Sequence, residues 1–561
     1  MLDAFRTARD SLLDAVRVAP GWLTTYSMLQ LVLAVLPGAQ VVLIRALVDD
    51  GGGSWGPLLG LTVVVGAMYP LTQVSNGAGQ RMMLRLRLDY RVELARVAAR
   101  LSPSRLAEPA VVRDLEAGQA ATNPMSDVAG KPVQVVSAAV TSVLLCIAIA
   151  SINLFSGLLV LAALVPTVLA FTLISRMEAK WWPRVGEYDR AAAYATEQLI
   201  QQRSGTELAV LGSGWKVADR IAGSRTHATH VLDRMIRTAM NFELAAAVVT
   251  VMLFGGALVA LVGGGANGGA AAAAVAGTIT GLNAIRQCGY AFGSIVTAAP
   301  QAMIYRRFVH SVPPAARQTV VPKVESVALE HVTFRYGDKP VLCDVSIEAR
   351  RGELVALVGV NGAGKSTAIN LLVGSLSPDC GRVLIDGKDA ADLTEAERLG
   401  YFGLLVQEFG RFEFTLRDAV ALGSPEPVTD QAVRTALAGT FAAGLPLDTQ
   451  LGQQWGGSGI SGGQWQRLAL ARIRLRDAGV WILDEPTSAI DAEAEREIFA
   501  ELRRTKEERI TVVVSHRAWT LREMDRIYVI DGGAVVQEGT YPELMARQTG
   551  RFARLFAAQQ E

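Results

Sequence analysis

The sequence predicts a multi-domain chain, in which an all-α transmembrane domain of six helices is followed by an α/β domain. Half of the 561 residues are apolar and 19% are charged, whereas about a quarter of the residues are charged in soluble domains. Long apolar runs fill the chain to about residue 312, and short β-branched runs alternate with amphipathic segments after about residue 326. We therefore expect a membrane domain over 1–312, a linker over 313–326 and an α/β domain over 327–561.

The charge and the cysteines exclude two classes of protein. A net charge of +1 offers no basic excess for nucleic acid, so no nucleic-acid partner is expected. Four cysteines are too sparse for a disulfide framework or a zinc knuckle. We expect them to be small buried apolar residues: Cys146, Cys288, Cys343 and Cys380.

Six segments are long enough to cross a hydrocarbon core of about 30 Å. They are residues 21–48, 55–75, 133–152, 155–176, 242–263 and 269–299. The short connections carry no Lys or Arg, while the long connections, 76–132 and 177–241, are rich in Arg. The positive-inside rule therefore places the long connections and both termini in the cytoplasm. The predicted location is the cell membrane, as a multi-pass protein with a cytoplasmic C-terminal domain, in a bacterial inner or plasma membrane.

The segments outside the spans also have helical periodicity. Residues 1–18 form an amphipathic pattern, which favours a short helix at the membrane interface or an ordinary cytosolic cap. The long connections continue the helices beyond the membrane and turn at breakers near 102–104 and 212–214. Short helices after these breakers, over 105–118 and 215–220, are suited to contact a soluble domain.

A phosphate-binding loop follows the apolar run 354–358. Its pattern is GxxxxGK[ST], and an apolar helix follows, which is the context such a loop requires. Glycines let backbone N–H groups close around phosphates, Lys365 is expected on the β- and γ-phosphates, and Ser366 on Mg²⁺. This predicts an α/β P-loop NTPase domain. The candidate nucleotide-binding residues of the loop are Gly359, Asn361, Gly362, Gly364, Lys365, Ser366 and Thr367.

Two acidic residues end a second apolar run, 480–483. An acidic residue at the end of a buried strand holds Mg²⁺ in P-loop folds, which assigns Asp484 to the metal. The adjacent Glu485 is placed to polarise the attacking water as a general base.

A third motif lies between these two and carries a family resemblance. Ser461, Gly462, Gly463 and Gln464 follow Ile460 and precede a basic, apolar helix. Together with the phosphate loop and the acidic strand end, this sequence resembles the signature of ATP-binding cassette (ABC) transporters. A hydroxyl and amides at a helix N-terminus form an anion site. In the family this site caps the γ-phosphate bound by the opposite subunit.

The resemblance assigns four further residues. Tyr336 matches the aromatic residue that stacks on adenine, and Gln407 the glutamine that senses Mg²⁺ and water. Asp491 matches the acid of the loop that crosses the dimer interface, and His516 the switch histidine that holds the γ-phosphate. Two departures are Ile460 in place of Leu and the absence of an acidic residue from 451–456, which concerns the coupling to the membrane helices.

The resemblance covers essentially the whole chain and implies a half-transporter of the exporter fold, similar to bacterial multidrug or peptide exporters. It implies ATP and Mg²⁺ as cofactors and a second subunit, identical or related, to complete each site. The expected activity is ATP-driven export of an amphipathic small molecule, peptide or lipid by alternating access. The alternatives are import on the same fold, for example of a siderophore, and a regulatory ATPase that moves no cargo.

Polar residues inside predicted spans mark candidate positions on a cargo pathway. Arg286 is the most informative of them, and it points to an anionic or peptide-carboxylate cargo unless it pairs with a neighbouring helix. The five candidates are Gln30, Gln40, Asn283, Arg286 and Gln287.

Overall fold

A computed structural model describes residues 2–49, 55–151, 153–263, 268–314, 318–486 and 492–556. The chain divides into two compact units. The first comprises Met1–Arg100 and Ala110–Pro313, and the second comprises Leu101–Pro109 and Pro314–Glu561. The described part of the first unit is helical and that of the second is α/β, which confirms the predicted fold class.

The first unit is built from ten described helices. They are α1 Leu2–Val18, α2 Pro20–Asp49, α3 Trp55–Ala98, α5 Pro109–Val128, α6 Lys131–Ala150, α7 Leu154–Ala162, α8 Leu164–Ile200, α9 Gln202–Val210, α10 Gly214–Gly263 and α11 Gly268–Ser311. At 1.5 Å per residue, the 50 residues of α10 extend for about 75 Å, more than twice the thickness of a hydrocarbon core.

Five stretches of described helix are long and apolar enough to cross a membrane. They are Pro20–Asp49, Trp55–Ala98, Pro109–Ala150, Leu154–Glu178 and Gly214–Leu261. Three of them contain a whole predicted span, 21–48, 55–75 or 155–176, and the other two contain residues 133–150 of the third predicted span and 242–261 of the fifth. The sixth predicted span, 269–299, lies within α11, which is not among the five. The sixth span therefore stays a prediction.

Helix α1 buries small residues and exposes three of its large apolar ones. Ala4 and Ala15 are buried, while Phe5, Leu13 and Val16 are exposed. Arg306 of α11 holds the helix by ion pairs with Asp10 (2.6 Å) and Asp14 (2.9 Å). An exposed apolar face is typical of a helix that lies at the membrane interface, which favours the first of the two interpretations of this segment.

The two breakers are where the sequence places them, but the short helices after them differ from the prediction. Helix α4 (Pro103–Leu106) ends before α5 begins at Pro109, so 105–118 is not one helix. Residues 215–220 are the first turns of α10. Helix α4 belongs to the second unit, where the Ser104 hydroxyl donates to Glu395 Oε1 at 2.9 Å. The first breaker therefore does present a short helix to the α/β unit, as predicted.

The second unit contains ten described strands and the remaining described helices. The strands are β1 Ser326–Tyr336, β2 Lys339–Arg350, β3 Leu354–Val358, β4 Cys380–Ile385, β5 Lys388–Asp389, β6 Phe402–Leu405, β7 Val480–Asp484, β8 Ile510–Val514, β9 Arg526–Asp531 and β10 Ala534–Gly539. The helices after α4 are α12 Lys365–Val373, α13 Glu395–Gly400, α14 Leu416–Ala421, α15 Asp430–Leu437, α16 Gly462–Arg476, α17 Ala492–Arg504, α18 Ala518–Leu521, α19 Tyr541–Ala546 and α20 Arg551–Phe556.

Two sheets enclose the core of this unit. The larger has the order β10-β9-β3-β8-β7-β6, with β9, β3, β8, β7 and β6 parallel, and the smaller is antiparallel in the order β2-β1-β4-β5. All five side chains of β3 and of β8 are buried, as expected for central strands covered on both faces. The carboxyl ends of β3, β8, β7 and β6 therefore lie side by side at one edge of the sheet.

The prediction that the cysteines are buried is wrong for two of them. Cys343 and Cys380 are exposed, and Cys146 and Cys288 are half-buried. Successive side chains of a strand point to opposite faces, and because Leu342 of β2 points into the core, Cys343 points away from it. Cys380 is the first residue of β4, whose burial begins only at Val383.

Candidate functional site

A cavity of about 740 Å³ lies at the carboxyl edge of the parallel sheet. Its polar residues lie at or just after the carboxyl ends of four neighbouring strands. The phosphate loop follows β3, Asp484 and Glu485 lie at the end of β7, His516 follows β8 and Gln407 follows β6. Ligands of open α/β sheets bind outside the carboxyl ends of the strands. The cavity is lined by Val341, Val358, Gly359, Val360, Asn361, Gly362, Gly364, Lys365, Ser366, Thr367, Gln407, Asp484, Glu485, His516, Leu555 and Phe556.

The glycines of the phosphate loop are required by its backbone. Gly362 and Gly364 have φ angles of 82° and 108°, a region that only glycine enters without strain. At Gly359 a Cβ atom would lie 2.2 Å from the carbonyl oxygen of Ile530. The loop therefore packs against β9 as closely as a residue without a side chain allows.

Gly359→Ala is expected to destabilise the second unit, because the added methyl group must displace the backbone of β9. Overpacking of this kind costs about 1 to 3 kcal/mol, so the melting temperature of the purified full chain should fall by at least about 3 °C. Gly444→Ala is the matched control, since a Cβ atom there meets nothing within 4 Å. Equal melting temperatures for the two variants would contradict this packing.

Lys365 lies across the loop that precedes it. Its Nζ donates to the carbonyl oxygens of Gly359 (2.8 Å) and Val360 (3.1 Å). Burial lowers the pKa of Lys365, and the charges of Glu485 and Asp484 act in the opposite direction. The ammonium group is thus held inside the cavity, next to the backbone amides that would contact phosphates.

Asp484 is half-buried beside Ser366. Burial and the neighbouring charge of Glu485 raise the pKa of Asp484, while Lys365 and a hydrogen bond from Ser366 lower it. The Ser366 hydroxyl, the Asp484 carboxylate and the Gln407 amide all line the cavity, and oxygen donors of this kind suit Mg²⁺. No group of three or more His, Cys, Asp or Glu side chains able to hold a metal occurs among the described residues. The set thus fits a magnesium ion held largely by substrate phosphates and water.

The Glu485 carboxylate contacts both His516 and Gln407. Its Oε1 lies 3.2 Å from His516 Nδ1, and its Oε2 accepts from Gln407 Nε2 at 3.4 Å. Its φ of 49° lies in the left-handed region, which non-glycine residues rarely enter. The backbone is held there because the Glu485 amide donates to the Val514 carbonyl oxygen at 3.1 Å. The three predicted catalytic residues Glu485, His516 and Gln407 are therefore brought together.

The signature residues lie elsewhere in the unit. Ser461 caps α16, and Gly462, Gly463 and Gln464 form its first turn. Ser461 Oγ accepts from the Gln464 amide (3.3 Å), and Gln464 Oε1 accepts from the Ser461 amide (2.7 Å). None of the four lines the phosphate cavity of the same chain.

Two further predicted nucleotide contacts are also not among the cavity-lining residues. Tyr336 is 52% exposed and packs edge-on against Phe334, outside the lining of the phosphate cavity. Asp491 lies outside the described residues. The adenine contact and the interface acid therefore stay predictions.

Three residues at the site were missed by the sequence reasoning. Gln466 is buried and its Nε2 donates to the Glu485 carbonyl oxygen at 3.2 Å, which ties the signature helix to the candidate base. Its position two residues after Gln464, near the start of the same helix, could have indicated that it lies close to the site. Leu555 and Phe556 line the cavity from α20, and no pattern in the sequence connects them with a loop almost two hundred residues earlier.

A second cavity, of about 830 Å³, lies within the first unit. None of the five residues predicted for a cargo pathway lines it. Gln30 instead donates to Ser75 Oγ at 3.1 Å, and Asn283, Arg286 and Gln287 are exposed. Arg286 therefore gives no support here for an anionic cargo.

The sheet order and the residues at its edge define a P-loop ATPase domain of the ATP-binding cassette type. Residues 342–488 match the family described as "ABC transporter". The same polypeptide also carries a unit of long apolar helices.

The curated relatives include several transport proteins. A segment of 245 residues is 37% identical to the ATP-dependent lipid A-core flippase of Syntrophus aciditrophicus, covering 43% of this chain and 40% of the relative. A segment of 240 residues is 41% identical to the β-(1→2)glucan export ATP-binding/permease protein NdvA of Rhodopseudomonas palustris. This segment covers 42% of this chain and 39% of the relative. The aligned part thus spans about two fifths of the length of these relatives.

A solved structure shares the fold of nearly the whole chain. It is described as a bacterial Atm1-family ABC exporter with ATP bound, and it aligns with a TM-score of 0.78 over 96% of this chain and 100% of the other. The sequence identity is 22%, so the likeness is one of fold alone.

Proposed function

We propose that two copies of this chain form an ATP-driven exporter of an amphipathic small molecule, peptide or lipid. The observation that carries this proposal is the division of the site. Phosphate loop, metal ligand, base and switch histidine meet in one cavity, whereas the anion-binding turn at Ser461 lies outside it. A half-site of this kind hydrolyses ATP only after a second chain supplies the signature turn.

The chain carries an intact residue at every described catalytic position, so two copies suffice for two complete sites. Glu485 accepts the proton of the attacking water and is oriented by Gln407 and His516. Lys365 and the loop amides stabilise the charge that develops on the phosphates. When bound, Mg²⁺ neutralises part of that charge, and Ser366, Asp484 and Gln407 are the residues that would hold it.

Closure of the two ATPase domains would move the membrane helices through the short helix α4, whose Ser104 hydroxyl bonds Glu395. The cavity of the first unit would then change the side of the membrane to which it opens. The exporter fold and the names of the relatives support export, and the predicted orientation places the ATPase domains in the cytoplasm of a bacterial cell.

The alternating-access step can be tested without knowledge of the cargo. Ser294, in the lining of the first-unit cavity, is replaced by Cys in a chain whose native cysteines are replaced by Ala. Without nucleotide, a membrane-impermeant maleimide applied from the ATPase side should label it, and ATP with Mg²⁺ should slow the labelling at least about fivefold, because the populations of the two states exchange.

Tyr194→Cys is the control, since Tyr194 is exposed on α8 and does not line the cavity. Its labelling should not respond to ATP. A Ser294→Cys chain that hydrolyses ATP at an unchanged labelling rate would favour the regulatory ATPase, and ATP-dependent flux toward the ATPase side would favour the importer.

A further inference from the structure

The first-unit cavity is walled by seven helices. Its lining comes from α2, α3, the end of α5 with the start of α6, α8, α10 and α11. At about 830 Å³ its volume lies within the range of sites for drug-sized ligands, about 300 to 1,000 Å³. Among the described residues, its charged lining consists of three carboxylates and one ammonium group: Asp127, Glu178, Glu243 and Lys131.

Two of the three carboxylates have no basic partner among the described residues. The third, Asp127, forms an ion pair in which its Oδ1 lies 3.5 Å from Arg87 Nη2. Glu178 accepts a hydrogen bond from the Thr297 hydroxyl at 2.6 Å, but neither Glu178 nor Glu243 forms an ion pair with any described Lys, Arg or His side chain. The described lining therefore has more negative than positive charge, with three carboxylates and one ammonium group.

Glu178 and Glu243 lie at the ends of predicted membrane spans, where a charged side chain indicates a path for substrate or ions. Glu178 is the last residue of an apolar stretch, and Glu243 lies near the start of the predicted span 242–263. Both stand at span ends that the predicted orientation assigns to the cytoplasm. Ionisable groups at the membrane are costly unless they meet water or a partner, and they mark the paths of substrates and ions.

Aromatic rings complete the lining. Phe171, Trp182 and Tyr290 face the same cavity. The ammonium group of Lys131 lies 5.0 Å from the centre of the Tyr290 ring, within the distance of a cation–π contact. At least one ring of the lining thus already accepts a cation, and the flat faces of Trp182 and Phe171 suit a delocalised or quaternary one.

We propose that this cavity is a binding site for an amphipathic organic cation, with Glu178 and Glu243 as its counter-charges and the rings as its apolar wall. The inference rests on the proposed transport function and names the chemical class of its cargo. It reverses the expectation of an anionic cargo drawn from Arg286, because the lining is acidic where that expectation needed a base.

Tetraphenylphosphonium and tetraphenylborate are a matched pair of probes, since they have nearly the same shape and opposite charge. The full chain in lipid nanodiscs should bind tetraphenylphosphonium saturably in equilibrium dialysis, and tetraphenylborate should not displace it. Glu178→Gln combined with Glu243→Gln should weaken the binding at least about tenfold, which is a modest electrostatic loss for two carboxylates near a cation.

Glu187→Gln is the matched control, because Glu187 is exposed on α8 and lies outside the cavity lining. It should bind tetraphenylphosphonium like the unmodified chain. ATP turnover measured on the double variant reports whether it is folded. If it is not, each single variant is measured instead, with at least a threefold loss expected from each.

The inference is overturned if tetraphenylphosphonium does not bind saturably, if tetraphenylborate binds equally well, or if the Gln variants bind within twofold of the unmodified chain. These results leave the transport proposal standing as long as ATP still slows the labelling of Ser294→Cys. Conversely, if cation binding depends on Glu178 and Glu243 but ATP has no effect on that labelling, the site is supported and the transport proposal fails.

Discussion

Glu485→Gln is expected to lower steady ATP turnover of the reconstituted chain by about a hundredfold to ten-thousandfold, the range typical of removing a general base. The amide keeps the size of the side chain and can still meet His516 and Gln407, but it cannot accept the proton of the attacking water. ATP binding should survive, because the phosphate loop and Lys365 are untouched. Turnover is measured as phosphate release, and binding with a fluorescent ATP analogue.

Glu330→Gln is a suitable control for this variant. Glu330 lies at the surface of β1, far in sequence from the site, where it pairs with Arg382. Exposed ion pairs contribute about 1 kcal/mol or less, so turnover should not change. A Glu485→Gln chain with more than a tenth of normal turnover would refute the role of Glu485 as the base.

The placement of the candidate ATP-site residues could be predicted from sequence wherever it depends on a local pattern. The phosphate loop and the pair Asp484 and Glu485 each follow a short apolar run in the sequence. The run predicts a buried strand, and the motif directly after it predicts the residues at the end of that strand. Parallel strands end at a common edge, and this brings Gln407, Asp484, Glu485 and His516 into one cavity although they are spread over more than one hundred residues.

The contacts that depend on three-dimensional packing could not be predicted. Leu555 and Phe556 reach the cavity through the packing of the last described helix. The left-handed backbone at Glu485 is set by its hydrogen bond to β8, which no local pattern encodes. These features arise from tertiary contacts between distant segments.

The residues that line the first-unit cavity also could not be predicted from sequence. Polar residues in the middle of predicted spans were natural candidates, yet the charged side chains of the cavity lie at or just beyond span ends, as Glu178 and Glu243 do. Hydropathy fixes where a span begins and ends, but it does not say which face of a long helix turns toward its neighbours. Which face lines the cavity is decided by the packing of seven helices.

Ser461→Arg is expected to lower ATP turnover at least about a hundredfold, comparable to the loss of a group that stabilises transition-state charge. The signature turn does not line the phosphate cavity of its own chain, so ATP should still bind to the phosphate loop. What is lost is the cap that the turn supplies to the γ-phosphate on the other chain.

Thr429→Arg separates this effect from simple loss of a helix cap. Thr429 caps α15 as Ser461 caps α16, with its hydroxyl accepting from the Ala432 amide at 3.3 Å. Losing a cap of this kind costs about 1 kcal/mol in either variant. Only the Ser461 variant should lose turnover, and equal losses in both would indicate a general structural defect.

The most direct test of the two-chain site is the amount of ATP that becomes occluded in the Glu485→Gln chain in lipid. Radiolabelled ATP with Mg²⁺ should be retained through rapid gel filtration at about one molecule per chain, in particles with the mass of a dimer, because each site is closed by the signature turn of the other chain. Adding Ser461→Arg should abolish this retention while rapid, reversible ATP binding remains. Retention that survives Ser461→Arg, or that occurs in particles with the mass of a single chain, would contradict the proposed ATP clamp.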